Sequence, residues 1–438
     1  MPTPDPIDFI LNTTFDDHST RVIDTAKLNI LDTLGIAVGG HGTKLSEIIR
    51  SLAVEEFGGE CPMLFDGRTA STSGVALAAG MLIDSLDGHD GFNPAKGHIG
   101  APLLSALLPV ARSLNASGRE FLNAVIIGYE VGARVSVAQH ATCPDYHTSG
   151  SWGAVAAAAA ASRLMGFDRE TIRHAIGIAE YHGPRSQMMR CIDHPTMLKD
   201  GAGWGAMTGV SAVKLASKGF TGAPAITVES APEFWADLGE RSYILEQYYK
   251  PYPVCRWAQG PIEGVLALRR EHNLNSDMVE QISVTTFHES VRLALNAPTN
   301  TEEAQYSTSY PCAVAMVRGT VTPEDIADET LSDPEILRLS KSLTMTESTW
   351  ANEKFPQERF AKVTLSLRDG RELESDWVEP IWDAKHPPAK EELVNKYRDI
   401  AMPVLGTQRA SDIENAVFGL QTSDFSALGD LLFQPIND

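Results

Sequence analysis

Cysteine is scarce in this chain. Cys61, Cys143, Cys191, Cys255 and Cys312 are scattered over 438 residues without a CxxC spacing, which excludes a disulfide framework and a zinc knuckle. Positive charge is also short. Lys and Arg number 36 against 57 Asp and Glu, for a net charge of -21, so neither nucleic acid nor a membrane is expected as a partner. Long apolar runs are missing too: the longest block, Ala154 to Ala161, is mostly alanine and falls far below the roughly 20 residues that cross a bilayer. The start, MPTPDPIDFI, is acidic and lacks the basic and apolar regions of an export signal, so a cytoplasmic location is expected. There is no GxGxxG after a strand and no GxxxxGK[ST], HExxH or GxSxG. The DGHD run fails the spacing of a calcium loop. No metal and no cofactor is expected.

What remains is ordinary in bulk, with 43% hydrophobic and 21% charged residues, in a length that favours two domains. Helix patterns dominate the first part. Ser19 can cap a helix carrying Val22, Ala26, Ile30 and Leu34, and Asp168 one carrying Ile172, Ala175, Ile176 and Ala179. Gly74 to Leu86, Gly153 to Leu164 and Trp204 to Ser217 are so rich in Ala and Gly that close helix packing is expected. After Tyr248 the character changes. YYKPYPVCRWAQG carries two prolines and predicts a hinge, followed by a helix over Ile262 to Glu271. Gln281 to His288 and Ala361 to Leu367 alternate like strands, the second leading into an Asp369-Gly370 turn. Helix-like segments fall at Ala304 to Val317 and Ser332 to Leu343, and helix patterns return from Lys390. The fold class expected is mainly α: a large all-helical domain over residues 1–250, completed by 388–438, plus a smaller α+β lid domain over 251–387.

Four Gly- or Pro-rich connections carry the candidate chemistry, since functional residues concentrate on connections held by rigid scaffolds. The first holds Asp87, His89, Asp90, Lys96 and His98. The second holds Asp145, Tyr146 and His147. The third, Tyr181 to Gly205, gathers Arg185, Arg190, His194 and Lys199, with Trp204 at its end and only Asp193 and Asp200 as acids. The fourth holds Lys250, Cys255, Arg256 and Trp257. In so acidic a protein, a local excess of cations points to an anionic ligand. Acid–base work by Lys, His, Tyr and Asp beside carboxylate-binding arginines is the chemistry these residue types support.

Five stretches then resemble, in order, the signature blocks of the MmgE/PrpD family. They are LDGHDGFNPAKGHIGAPLLSALLPVA, DYHTSGSWGAVAAAAAASRLMGFD, TMLKDGAGWGAMTGVSAVKLASKGFTGAP, YKPYPVCRWAQGPIE and EAQYSTSYPCAVAM, spanning about Leu86 to Met316. The resemblance implies a large helical domain built from both chain ends, a smaller lid, a homodimer, and a cofactor-free site between the domains. Asp87, His98 and His147 match acidic and histidine positions of the family's decarboxylase pocket, and Lys199 looks like its lysine ahead of the Gly/Ala-rich helix. The decarboxylase-like histidine after a "YP" or "FP" pair is replaced by Cys255.

These readings together assign Lys199, Tyr146, His147, His98 and Asp87 to catalysis. Arg185, Arg190, His194, Lys96, His89, Arg256, Cys255 and Trp204 are assigned to holding a small polycarboxylate. The extra arginines and the change at Cys255 make the first expectation an epimerase of an iminodisuccinate-like acid, with Lys199 facing Tyr146 or His147 across one carbon. A hydro-lyase of the 2-methylcitrate dehydratase type comes second, and a cis-aconitate-type decarboxylase third.

Overall fold

The computed structural model describes residues 4–143 and 145–436. The expected caps open their helices. Ser19 accepts from the Val22 N–H at 3.3 Å and starts Thr20–Gly39; Asp168 accepts from Thr171 N–H at 2.9 Å and starts Arg169–His182. Each satisfies an N–H that the first helical turn leaves without a partner.

At the centre, the helix Ala202–Ala216 packs against both Thr72–Asp84 and Gly150–Leu164. Every residue from Gly150 to Ser162 is buried, as a helix apolar on all sides requires. Small residues allow close crossings. A Cβ on Gly80 would sit 2.4 Å from the Gly203 Cα, and one on Gly209 would sit 2.5 Å from the Ala157 Cβ. Against expectation, one helix, Gly118–Thr142, has the length and composition of a membrane span. Its most apolar window is 94% buried inside the protein, so helix packing accounts for its apolarity.

Apolar side chains form two main cores. One runs from Ile7 to Ile244 and resumes from Val394 to Phe433, so the last helices fold back onto the first part. The other surrounds a sheet whose strands lie in the order Thr344–Glu347, Val279–Thr286, Ala361–Leu367, Glu372–Glu374; the first pair is parallel and the others antiparallel. Ala361–Leu367 alternates buried and half-buried as its sequence predicts, and Gly370 closes the following hairpin at φ +89°. Ile36 and Leu86 reach into this second core from the helical side. The fold is mainly α with a smaller α+β part.

Boundaries differ in three places. The first long strand begins at Val279, and His288 opens a short helix instead of ending the strand. The helix expected over 304–317 is two, Thr301–Gln305 and Ser309–Arg318, and the break between them places Gln305 and Tyr306 inward. The helix expected from Ile262 starts at Arg256 and contains Pro261. Proline has no N–H for the carbonyl four residues back; that carbonyl, on Trp257, accepts from Ser290 Oγ at 3.4 Å instead.

A third, smaller apolar cluster lies where the two parts meet. It joins Met188, Cys191 and Ile192 to Cys255, Trp257, Phe287, Leu293, Tyr306 and Ala351.

Gly80→Ala is expected to lower stability by about 1–3 kcal/mol, because its methyl meets backbone and not a movable side chain. Gly58→Ala, with open space around it, is the control. Urea unfolding of both variants checks this; equal midpoints would mean that the 72–84/202–216 crossing tolerates a methyl.

Candidate active site

Three connections converge on one buried cluster. The first, from the last residue of helix 72–84 onward, carries Asp84, Asp87, His89, Asp90 and His98; the second, ahead of helix 202–216, carries Lys199 and Asp200; the third carries Lys250. Lys250 is wholly buried. Its ammonium contacts Asp87 Oδ1 and donates to the Asp87 carbonyl at 3.1 Å and to His98 Nε2 at 3.2 Å. A lysine ammonium can only donate, so His98 Nε2 accepts, and the ring proton lies on Nδ1. Nδ1 donates to Asp200 Oδ2 at 2.9 Å. Asp200 is held by Ser149, through its hydroxyl and its N–H at 2.9 Å. The result is a continuous relay, Asp87–Lys250–His98–Asp200.

Lys199 stands beside it with a neutral partner, donating to Gln305 Oε1 at 2.6 Å, 4.8 Å over the Tyr306 ring. The backbone turns sharply here, with Lys199 at φ +52° and Gly201 at φ +73°. The left-handed region is strained for lysine and persists only where surroundings enforce it. Asp84 does so: its Oδ2 accepts from the N–H groups of Asp200 (3.1 Å) and Ala202 (3.2 Å), capping helix 202–216 with a carboxylate.

Burial sets the electrostatics. It pushes the Asp87 carboxyl up, but Lys250 and the two histidines outweigh it and hold the group well below the usual carboxylate range. Burial likewise opposes the charge on Lys250, and Asp87 reverses this, leaving the lysine above its ordinary value. His89 is pushed down to about 4 by burial and by His98. Behind the cluster, burial and Asp32 push Asp90 up to about 7, while the Tyr129 hydroxyl donates to it at 2.9 Å. Asp87, His89 and His98 offer ligand atoms within 4.8 Å of one another. Lys250 already stands at two of them, so the set is built around an ammonium and would repel a second cation.

Asp87, His89, His98 and Lys199 therefore meet as expected, and other expected residues do not join them. Arg185, Arg190, His194 and Trp204 are exposed. The short helix Met189–Asp193 buries Cys191 and Ile192, which turns Arg190 outward; helix 202–216 does the same to Trp204 by burying Ala202, Gly203, Gly205 and Ala206. Arg185 donates to Cys143 Sγ at 3.3 Å, away from the relay. Arg256 is buried but spent on the carbonyls of Tyr249 (3.0 Å) and Ile381 (3.1 Å) and on Asp383 (3.1 Å). The Cys255 thiol is pushed up to about 12 by burial and Asp87. His147 is buried, but the charges that act on it are Arg185 and Asp145. Tyr146 donates its hydroxyl proton to the Lys96 carbonyl and lies under the Lys96 ammonium at 4.4 Å.

Lys250 as the hub, together with Asp84, Ser149, Asp200, Gln305 and Tyr306, was not assigned from sequence. A lone lysine among tyrosines and prolines was the available signal for Lys250. The others lack one, because their partners lie up to 220 residues away, as Gln305 does from Ser85.

Fold and cluster together gather buried lysines, a histidine pair and carboxylates where a helical body meets a sheet-bearing one. The chain belongs to the MmgE/PrpD family: residues 7–236 match its N-terminal domain and 252–420 its C-terminal domain. It is 24% identical to a cis-aconitate decarboxylase of Aspergillus terreus, covering 97% of this chain and 94% of that one. It is also 24% identical to the Homo sapiens cis-aconitate decarboxylase, over 95% and 91% of the two chains. A mitochondrial 2-methylcitrate dehydratase of Yarrowia lipolytica is 26% identical over 54% of this chain and 50% of its own. These relatives are lyases, and the expectation of an epimerase gains no support from them.

Asp90 gives a pH signature. A carboxyl raised to about 7 in the fold, against about 3.9 unfolded, binds more protons folded than unfolded between those values. Its contribution is full below about 4 and is lost as pH rises through about 7. Asp90→Asn keeps an acceptor for Tyr129, so its melting temperature is expected to fall less between pH 5 and pH 8 than that of the wild type. Parallel melting curves would remove Asp90 as the titrating group.

Proposed function

We propose that this protein is a lyase acting on a small polycarboxylic acid through a carbanion beside a carboxylate. The observation that carries the reading is the buried juxtaposition of Lys199, with a neutral partner, and the Asp87–Lys250–His98–Asp200 relay. Removing a group from the carbon next to a carboxylate leaves an electron pair that the carboxylate must share. Cations fixed in a water-poor pocket stabilise that charge without reorganising. Lys250, held charged by Asp87, is suited to this task. Lys199, without a carboxylate partner, is the group placed to give or take the proton.

Loss of CO₂ is the first reading, supported by the near full-length similarity to cis-aconitate decarboxylases. The C–COO⁻ bond breaks, CO₂ leaves, the pair passes into the remaining conjugated carboxylate, and Lys199 delivers a proton to carbon. Loss of water is the second reading, favoured by Cys255. A buried thiol at about 12 stands where the family's decarboxylases have a histidine, and it cannot exchange protons near neutrality as an imidazole does. In that case Lys199 takes the proton from carbon and the hydroxyl leaves as water after protonation from the relay.

Incubation with cis-aconitate and with 2-methylcitrate in deuterated buffer, followed by NMR, tests the proposal. CO₂ with deuterium in the product identifies the first reading, and an unsaturated acid formed by water loss the second. Lys199→Ala is expected to slow either by about 10²–10⁴-fold. Solvent label entering an otherwise unchanged acid, or no reaction with any polycarboxylate, would overturn the lyase assignment.

A further inference from the structure

Arg359, just ahead of the strand Ala361–Leu367, was not singled out by sequence and takes no part in the relay. It is 4% exposed, yet no carboxylate pairs with it among the described residues. Its Nη1 donates to Asn93 Oδ1, its Nη2 to the Asn93 carbonyl at 3.4 Å, and its buried Nε has no partner. A buried guanidinium ordinarily draws a carboxylate onto its planar fork. The nearby candidate, Asp383, is already engaged by Asn93 Nδ2 at 2.7 Å and Arg256 Nη2 at 3.1 Å.

A second uncommitted cation lies close. Lys96 is half-buried, adopts φ +54°, and rests on the Tyr146 ring; the charges that reach it are Glu289 and Arg359. Lys96, Arg256 and Arg359 thus share a corner with Asp383 and, further off, Glu289. The corner and the relay are neighbours. Tyr248 lies under the Arg256 guanidinium at 4.2 Å and is acted on by Lys250, Asp87 and Arg359 as well, and Cys255 likewise is acted on by Asp87, Lys250 and Arg359.

We propose that Arg359, assisted by Lys96, is a second carboxylate subsite that holds the carboxyl group of the substrate remote from the bond that breaks. It would select acids with at least two carboxylates over those with one. The Asn93 amide is the resident neutral acceptor, which an incoming carboxylate displaces, because a carboxylate brings a full opposite charge and can accept two parallel bonds from the guanidinium fork. Asn93 belongs to the helical body and Arg359 to the sheet-bearing one, so an occupied subsite bridges the two. The inference rests on the polycarboxylate reading above, and its test needs no turnover.

The test is calorimetric binding of tricarballylate, a saturated tricarboxylate with no hydroxyl, and of propionate, to the full-length chain. Arg359→Gln is expected to weaken tricarballylate by about 10–100-fold, roughly the loss of one charged hydrogen-bonded pair, and to leave propionate unchanged. Arg359→Lys restores part of the loss. Asn93→Asp, which gives Arg359 a resident carboxylate, weakens tricarballylate as Arg359→Gln does, and Lys96→Gln weakens it less. Equal weakening of both acids, or unchanged tricarballylate binding in folded Arg359→Gln, overturns the subsite. Should Arg359→Gln fail to fold, unchanged selectivity in Arg359→Lys and Lys96→Gln overturns it equally. Wild-type selectivity that vanishes with Arg359, in a protein that turns over no acid, would leave the subsite standing and remove the lyase reading. Turnover without any Arg359-dependent selectivity would remove the subsite alone.

Discussion

The buried ion pair of Lys250 with Asp87 is the constraint on which the centre of this molecule depends. Taking two charges out of water costs several kcal/mol per ion, and only close geometry with further hydrogen bonds offsets it. Each partner is therefore tied in more than one way. Lys250 also bonds the Asp87 carbonyl and His98, and the Asp87 N–H is held by Gln305 Oε1 at 2.9 Å. These bonds join the connection after helix 72–84, the segment after Tyr248 and the inward turn at Gln305. Of these bonds, the one from the Asp87 N–H to Gln305 crosses from the helical body to the sheet-bearing one.

A second tier behind the relay extends the same logic to the C-terminal end of the chain. Lys396, on the helix Lys390–Leu405, donates to Asp32 at 2.6 Å and to the Gly88 carbonyl at 2.7 Å. The return of the chain end to the first core therefore does more than cover apolar surface: it pins the backbone between Asp87 and His89. The Asp90 carboxyl is nevertheless raised to about 7, because burial and Asp32 outweigh Lys396. With Asp32 as a like-charged neighbour and no cation of its own, a second carboxylate charge in the same dry volume is disfavoured.

How far the sequence reached follows from which signals are local. The strand at 361–367, the caps at Ser19 and Asp168 and the small-residue helices are properties of neighbouring residues, and they were legible. Burial of a charged side chain is not local. The cations at 185, 190 and 194 stand in the same stretch as Lys199, but one turn of helix at 189–193 decides that Cys191 and Ile192 face inward and Arg190 outward. Arg256 shows the complementary failure. It is buried as a site residue would be, yet its Nη1 and Nη2 groups bond two carbonyls and Asp383, leaving only Nε without a partner. Counting cations measures neither orientation nor prior commitment, and the commitment of Arg256 is set largely by Ile381 and Asp383, more than a hundred positions away.

Gln305 shows how the fold distinguishes two lysines in one dry space. Its Nε2 donates to the Ser85 carbonyl at 3.0 Å, a contact that requires the NH₂ end, and to Thr301 Oγ1 at 2.8 Å, which is free to accept. The amide orientation is thereby fixed by its partners, and Oε1 must face the Asp87 N–H and the Lys199 ammonium. Lys199 accordingly meets an oxygen dipole where Lys250 meets a full negative charge. Lys199 thus lacks a direct ion pair, and the Asp84 and Asp87 carboxylates reach it only through space, an imbalance that the low dielectric sharpens. An anion placed against Lys199 would relieve the imbalance, which Asp87 has already done for Lys250. The two side chains are chemically identical, so their division into a fixed charge and an open one is the work of a single oriented amide.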